Sequence, residues 1–193
     1  HDMRLIGPDC FGVAVPGLGL DATFAASRLR PGVAGLMSQS GGVGVALAGQ
    51  LSRLGIGISS FASVGDKLDV SGNDMLMWWE HDDVTRLAVL YVESFGNPRK
   101  FARTARRVGA KMPVLTVRAA SNGPGSAADQ ALFEQAGIIA TGSFGELAET
   151  AALLATQPVP AGRTVAIVSN VGGAGTLAAD ACTELGLIVH QPR

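Results

Sequence analysis

The chain has 193 residues, of which 47% are hydrophobic and 16% are charged, and its formal net charge is -1 at pH 7. A nearly neutral chain without a cluster of lysine and arginine gives no basis for nucleic-acid binding. Its two cysteines, Cys10 and Cys182, are far apart and lack the spacing of metal ligands, so we expect a reducing, cytoplasmic setting and no metal site. Because no apolar run has the length of a membrane helix, we expect no membrane partner.

The first half of the chain predicts strands and helices in alternation. Residues 1–32 are rich in glycine, proline and alanine and have little periodicity, which predicts an irregular lead-in and a chain cut from a longer polypeptide. An unbroken apolar run at 33–37 predicts a strand that is buried on both faces. Further helices are predicted at 41–54, 70–81 and 98–108, and further strands at 56–64, 87–92 and 112–117.

The alternation continues in the second half until a proline-rich stretch interrupts it. A capping box of Ser143 and Glu146 predicts the start of the last helix. Residues 157–162 indicate a linker, and 163–193 hold the first strand and helix of a second unit, which either docks on the first domain or begins another. The pattern over 33–156 predicts an α/β domain with a doubly wound parallel sheet. Its remaining predicted elements are a loop at 118–126, a helix at 127–135, a strand at 138–139 and a helix at 144–156.

A turn rich in serine and glycine, Ser38-Gln39-Ser40-Gly41-Gly42, joins the strand at 33–37 to its helix. The first backbone N–H groups of a helix have no partner within it, and the positive end of the helix dipole lies behind them, so the turn predicts an anion site. The turn lacks the patterns of a P-loop, a dinucleotide-binding fingerprint and a serine-hydrolase elbow. A packing role for the glycines is an equally good interpretation of the sequence.

Two further features suggest the same chemistry. Residues 169–175, Ser-Asn-Val-Gly-Gly-Ala-Gly, repeat the turn and helix start near the end of the chain. Glu93 directly follows a predicted strand, at the sheet edge where α/β proteins bind ligands, and its carboxylate could orient an imidazole or act as a base. A plain surface carboxylate is the alternative. The three histidines, His1, His81 and His190, are better explained as solvated or locally paired side chains.

Segments 5–12, 38–42, 63–69, 90–93 and 169–175 carry a recognisable set of motifs. Together they resemble the NDP-forming acyl-CoA synthetases, relatives of succinyl-CoA synthetase that include acetate–CoA ligases. The resemblance implies a flavodoxin-like, succinyl-CoA-ligase-like domain and no cofactor within the chain itself. It also implies a parent protein that uses CoA and ATP or ADP with Mg²⁺, through a CoA-binding Rossmann-type domain and an ATP-grasp domain or subunit.

In that family a histidine is phosphorylated, and its phosphoryl group lies between the N-termini of two helices. The resemblance implies that these helices start near Gly41 and Gly172 and that Glu93 orients the imidazole. The implied phosphate contacts are Ser38, Gln39, Ser40, Gly41, Gly42, Asn170, Gly172, Gly173 and Ala174. The segment at 118–127, where the family's histidine belongs, contains none. Either this loop is truly shortened or the parent protein has further residues in it that this chain lacks.

The local sequence at 61–67 and 94–98 also resembles bacterial fusion proteins that join this synthetase module to a GNAT-type acetyltransferase. In some of these protein lysine acetyltransferases the module lacks the histidine and senses CoA or an acyl-CoA. Two hypotheses follow from these resemblances: the chain is a piece of an acyl-CoA ligase, or it is a non-catalytic sensing module. A flavodoxin-like domain that binds an unrelated anion is a third hypothesis, and the oligomeric state, a homo-oligomer included, stays open.

Overall fold

The structure, a computed structural model, describes residues 3–95, 97–117 and 126–190. These residues form six α-helices and nine β-strands. The chain divides into two compact units, His1–Gln157 and Pro158–Arg193. Except for Ser126, the predicted loop at 118–126 lies outside the described residues.

The first unit consists of one sheet covered by helices. Its strands are β1 (Gly12–Val15), β2 (Leu20–Thr23), β3 (Pro31–Ser38), β4 (Ile58–Ser63), β5 (Leu87–Tyr91), β6 (Val114–Val117) and β7 (Ile139–Thr141). Its helices are α1 (Gly41–Arg53), α2 (Gly72–Trp79), α3 (Pro98–Gly109), α4 (Ser126–Ala136) and α5 (Phe144–Thr156). The strands lie in the order β2-β1-β4-β3-β5-β6-β7.

Five of these strands are parallel to one another, in the spatial order β4-β3-β5-β6-β7. Numbered among themselves along the chain, they have the order 2-1-3-4-5, which is that of flavodoxin. Every residue of β4 and β6 is buried, as expected for strands covered by helices on both faces. The predicted fold class, α/β with a flavodoxin-like doubly wound sheet, is confirmed.

The prediction of an irregular lead-in at 1–32 is wrong. β1 and β2 form an antiparallel hairpin, with Gly12 opposite Thr23 and a 3₁₀ turn at Pro16–Leu18 between them. β1 also pairs antiparallel with β4, so the sheet is mixed. Both strands are short and mostly exposed in part or in full, and therefore lack the apolar pattern of a buried strand. Their conformation depends on pairing with β4, which local sequence does not encode.

Apolar side chains on the two faces of the sheet form separate clusters. Leu36, Leu47 and Leu147 belong to the cluster under α1 and α5. Trp79 belongs to the cluster under α2, α3 and α4, where it is completely buried and its indole N–H donates to Ser60 Oγ at 2.7 Å. The adjacent Trp78 is 46% exposed, so only one tryptophan of the pair anchors α2 in the core.

The start of α5 differs from the predicted capping box in one hydrogen bond. Ser143 Oγ accepts from the Glu146 N–H at 3.2 Å, as predicted. The Glu146 carboxylate, however, accepts from the N–H of Gly142 at 2.7 Å and not from that of Ser143. Because the Glu146 side chain reaches past the capping residue, it satisfies the preceding N–H.

The second unit contains β8 (Thr164–Ala166), α6 (Gly172–Glu184) and β9 (Ile188–His190). Its two strands are parallel, with Val165 opposite Val189, and α6 is the crossover between them. No residue of α6 is buried. A two-stranded sheet with one helix has too little apolar surface to form a core. Among the described residues of both units, no helix has the length and hydropathy needed to span a membrane.

Candidate functional site

An open cleft of about 410 Å³ lies at the carboxyl ends of β3 and β5. The order in which strands are added to the sheet reverses here, because β4 lies on one side of β3 and β5 lies on the other. Flavodoxin-like sheets bind their ligands at this switch point. The lining residues are Asp9, Cys10, Phe11, Gln39, Ser40, Gly41, Gly42, Gly65, Asp66 and Glu93. The structure thus brings Glu93 together with four residues of the predicted turn.

The first turn of α1 forms one wall of the cleft. Ser40 is its N-cap, with its hydroxyl accepting from Val43 N–H at 3.5 Å and its carbonyl accepting from Gly44 N–H at 3.0 Å. Helix geometry leaves the N–H groups of Gly41 and Gly42 without an acceptor in α1. A methyl group added at Gly41 would collide with Phe11, because it would lie 2.8 Å from the Phe11 Cβ, whereas Gly42 has open space around it. Backbone donors therefore remain available at the cleft.

Ser38 and Gln39 hold the two strand ends together. Ser38 is completely buried, and its hydroxyl donates to the carbonyl of Ser40. The N–H of Gln39 donates to the Tyr91 carbonyl at 2.9 Å, and its Oε1 accepts from the N–H groups of Glu93 at 3.0 Å and Ser94 at 3.1 Å. Both residues are among the predicted phosphate contacts, and the polar groups of their side chains form hydrogen bonds within the protein.

Glu93 lies in the bend after β5 and is exposed. Its carboxylate influences two neighbours. Burial raises the pKa of the Tyr91 hydroxyl, and the negative charge of Glu93 raises it further. Burial lowers the pKa of the Lys67 ammonium, and Glu93 opposes that effect. The carboxylate is therefore close enough to influence the charge of groups on either side of the bend.

Three charged residues beside the cleft were not predicted as site residues. Asp9 and Asp66 line it, and Lys67 follows directly in the chain. Asp9 and Lys67 have left-handed backbone angles, with φ of 52° and 44° respectively. Such angles are uncommon outside glycine and often mark functional loops. The sequence signal was present but weak, since all three residues fall in segments 5–12 and 63–69 of the resemblance.

In the described lining of the cleft, positive potential comes from backbone groups and not from a charged side chain. Its described lining contains the carboxylates of Asp9, Asp66 and Glu93 and neither lysine nor arginine. The described groups that would attract an anion are therefore the N–H groups of Gly41 and Gly42 and the dipole of α1. Among the described residues, no group of three or more histidine, cysteine, aspartate or glutamate side chains could hold a metal ion.

The second predicted turn has the same local design within its own unit. Val171 occupies the N-cap position of α6 and gives no side-chain cap. Ser169 Oγ instead accepts from the Val171 N–H at 3.1 Å and donates to its carbonyl at 2.9 Å. Asn170, Gly172, Gly173 and Ala174 are all exposed. The N–H groups at the start of α6 have no acceptor within the helix, and a methyl group added at Gly172 or Gly173 would meet no atom of the described residues within 4 Å.

The fold defines a flavodoxin-like α/β domain with an open cleft at the switch point of the sheet. Residues 31–154 match the family model described as "Succinyl-CoA ligase like flavodoxin domain", and the chain belongs to this family. The predicted resemblance to the NDP-forming acyl-CoA synthetases is thereby confirmed.

Relatives of the chain include acetate–CoA ligases. The chain is 35% identical to "Acetate--CoA ligase [ADP-forming] I subunit alpha" of Pyrococcus furiosus, over 99% of this chain and 44% of that protein. It is 33% identical to "Acetate--CoA ligase [ADP-forming]" of Methanocaldococcus jannaschii, over 97% of this chain and 28% of that protein. The chain therefore spans less than half the length of these relatives.

A solved structure has the same fold. The dinucleotide-forming acetyl-coenzyme A synthetase 1 of Ca. Korarchaeum cryptofilum, in complex with phosphate and ADP, superposes with a TM-score of 0.90 at 30% identity. The match covers 99% of this chain and 45% of that chain. The aligned region therefore includes residues of both units.

Proposed function

We propose that this chain is a piece of an NDP-forming acyl-CoA synthetase, an acid–thiol ligase, and that the cleft at α1 holds a phosphoryl group. The observation that carries the proposal is that Gly41 and Gly42, whose N–H groups have no acceptor within α1, line a cleft that also contains Glu93. A phosphoryl oxygen is the type of ligand that such a helix start binds best. The relatives named as ADP-forming ligases support this interpretation.

The proposal extends to the whole protein. The parent would use CoA and ATP or ADP with Mg²⁺ in the cytoplasm, and its partners would be CoA-binding and ATP-grasp domains or subunits. Residues 163–193 would be the start of a second flavodoxin-like domain, since β8, α6 and β9 cannot form a core of their own. In this arrangement the start of α6 would supply the second set of phosphate donors, at Asn170, Gly172, Gly173 and Ala174.

The phosphoryl group would be carried by a histidine whose imidazole N–H donates to the Glu93 carboxylate. No histidine follows β6 before α4, because the chain's three are His1, His81 and His190. The alignment with the Pyrococcus furiosus relative spans 205 positions, more than the 193 residues of this chain, so that relative contains residues which this chain lacks. The chain therefore contributes the receiving cleft, and the imidazole would be supplied from outside it.

Phosphate binding by the 193-residue chain tests the cleft directly. In Gly42→Asp, a carboxylate would lie in the open space at the helix start, where it favours α1 but repels an anion. At about 5 Å in water, its charge and that of a phosphate dianion repel by about 1.7 kcal/mol, which corresponds to at least about tenfold weaker binding.

Gly49→Asp is the matched control for this variant, because Gly49 lies in the same helix, also with open space around it. Titration with inorganic phosphate, followed by phosphorus NMR, should show weaker binding for the first variant alone. Equal affinities for both variants would rule out the start of α1 as the site.

A second candidate function is a non-catalytic module of a protein lysine acetyltransferase fusion that binds CoA or an acyl-CoA. The observation that favours it is the absence of histidine from residues 118–125. Thermal unfolding of the full-length protein with CoA tests it, since a ligand of the folded state raises Tm. An unchanged Tm at millimolar CoA argues against sensing, and transfer of label from ATP to a histidine of the parent favours the ligase.

A further inference from the structure

The side chain of Lys67 connects the two strand ends that form the cleft. Its Nζ donates to Gln39 Oε1 at 3.1 Å, to Ser94 Oγ at 2.8 Å and to the carbonyl of Ser94. These three acceptors match the three donors of an ammonium group. Gln39 follows β3 directly, and Ser94 follows Glu93 in the bend after β5. One side chain thus fixes both walls of the cleft.

Gln39 transmits this restraint to the backbone at Glu93. Its Oε1 accepts from Lys67 and also from the N–H groups of Glu93 and Ser94. The latter two N–H groups lie beyond the last residue of β5 and therefore have no partner in the sheet ladder. Because all three donors share one acceptor, Gln39 Oε1 joins the Lys67 ammonium to the backbone of the Glu93 bend.

The backbone around Lys67 forms a tight turn that packs against segment 5–12. Its N–H donates to the Val64 carbonyl at 2.8 Å in a tight turn, and its φ of 44° is left-handed. Gly65 packs so closely against the carbonyl of Pro8 that a methyl group at Gly65 would lie 2.1 Å from that oxygen. The N–H of Asp66 donates to the same carbonyl at 3.0 Å. Segment 5–12 therefore holds the turn in a conformation that is unfavourable for lysine on its own.

We propose that Lys67 is a positioning residue for the phosphoryl site, which sets the separation of the α1 start from the Glu93 bend through Gln39 and Ser94. This inference rests on the proposed function of the cleft. An exposed lysine that only raised local positive charge would not need three fixed acceptors or a left-handed turn. Burial lowers the pKa of Lys67, because the ammonium loses water when it is buried. The three acceptors replace that lost hydration.

Phosphate affinity and amide exchange of the 193-residue chain test the proposal together. In Lys67→Met, we expect amide hydrogen exchange at Glu93 and Ser94 to be at least about tenfold faster, with the interior of β5 unchanged. Affinity for inorganic phosphate should fall by about fivefold or more, because the cleft walls become mobile. Lys100→Met, which removes the same charge from the exposed face of α3, should change neither quantity.

A second variant separates positioning from charge. Gln39→Leu keeps the Lys67 ammonium but removes the shared acceptor, so it should weaken phosphate binding about as much as Lys67→Met. The double variant should lose little more than either single variant, because both break one connection. If Lys67 acts through its charge alone, Gln39→Leu retains affinity and the effects add, which overturns the proposal.

The two proposals fail in different ways. If the unmodified chain binds no phosphate at the cleft, the proposed function fails, and the role given to Lys67 fails with it. If the unmodified chain binds phosphate but Lys67→Met leaves both affinity and amide exchange unchanged, only the positioning role is overturned. Circular dichroism of each variant verifies that the sheet and helices are retained.

Discussion

Two glycines of α1 should respond to the same substitution with opposite changes in stability. A methyl group at Gly44 would lie 2.8 Å from Ser38 Cβ and 3.0 Å from the Phe61 ring, whereas one at Gly49 would meet nothing within 4 Å. Alanine favours a helix interior over glycine by about 0.5–1 kcal/mol at either position. At Gly44 this gain is opposed by overpacking, which costs about 1–3 kcal/mol.

The difference between Gly44→Ala and Gly49→Ala isolates the packing effect, because the helix-propensity gain is common to both. A difference of about 1–3 kcal/mol corresponds to about 2–12 °C in Tm for a chain of this size. Thermal unfolding followed by circular dichroism should show a higher Tm than the unmodified chain for Gly49→Ala and a lower Tm for Gly44→Ala. Equal increases for both variants would refute the close approach of α1 to β3 and β4.

The effect should also reach the cleft. If α1 moves away from the sheet in Gly44→Ala, its first turn moves relative to Glu93, and phosphate binding should weaken. Gly49→Ala should leave that affinity unchanged because its added methyl group is accommodated in open space.

Two further predictions concern the core and pH. Trp79→Phe removes the indole N–H that donates to Ser60 and should lower the free energy of unfolding in urea by about 1–3 kcal/mol; an unchanged midpoint would contradict the buried hydrogen bond. The Arg107 guanidinium donates hydrogen bonds to Glu80 and thereby lowers the pKa of that carboxyl group. The pair therefore stabilises the fold above the ordinary pKa of glutamate. This contribution is lost as pH falls through the lowered pKa. Glu80→Gln should therefore show a weaker loss of stability on acidification than the unmodified chain, whereas Glu149→Gln, on the exposed face of α5, should lose stability as the unmodified chain does.

The flavodoxin-like sheet could be predicted because its parallel strands are buried on both faces. Burial produces continuous apolar runs such as that at 33–37, and these are visible without any knowledge of the fold. β1 and β2 could not be predicted in the same way. Their residues face solvent in part, and their strand conformation follows from pairing with residues distant in the chain, as where Gly12 lies opposite Ser63 of β4.

In the candidate site, too, some features follow from local sequence and others depend on contacts across the sheet. The availability of N–H groups at Gly41 and Gly42 is a local property of a glycine-rich helix start, so the sequence was sufficient to predict it. The roles of Ser38 and Gln39 depend on what lies across the sheet. The resemblance implies phosphate contacts at both residues, and in the fold the Gln39 side chain accepts a hydrogen bond from the N–H of Glu93, which is 54 residues away in sequence.

The sequence by itself determined which segments form buried strands, where α1 starts and that a carboxylate follows β5. These features depend on side chains and backbone groups within a few residues of each other. Only the tertiary structure decided that Lys67 reaches both strand ends. Its three acceptors lie on Gln39 and Ser94, on either side of the switch point, and the left-handed turn that carries it is held by Pro8. Such contacts arise from the order of strands in the sheet, which brings together residues that no local pattern relates.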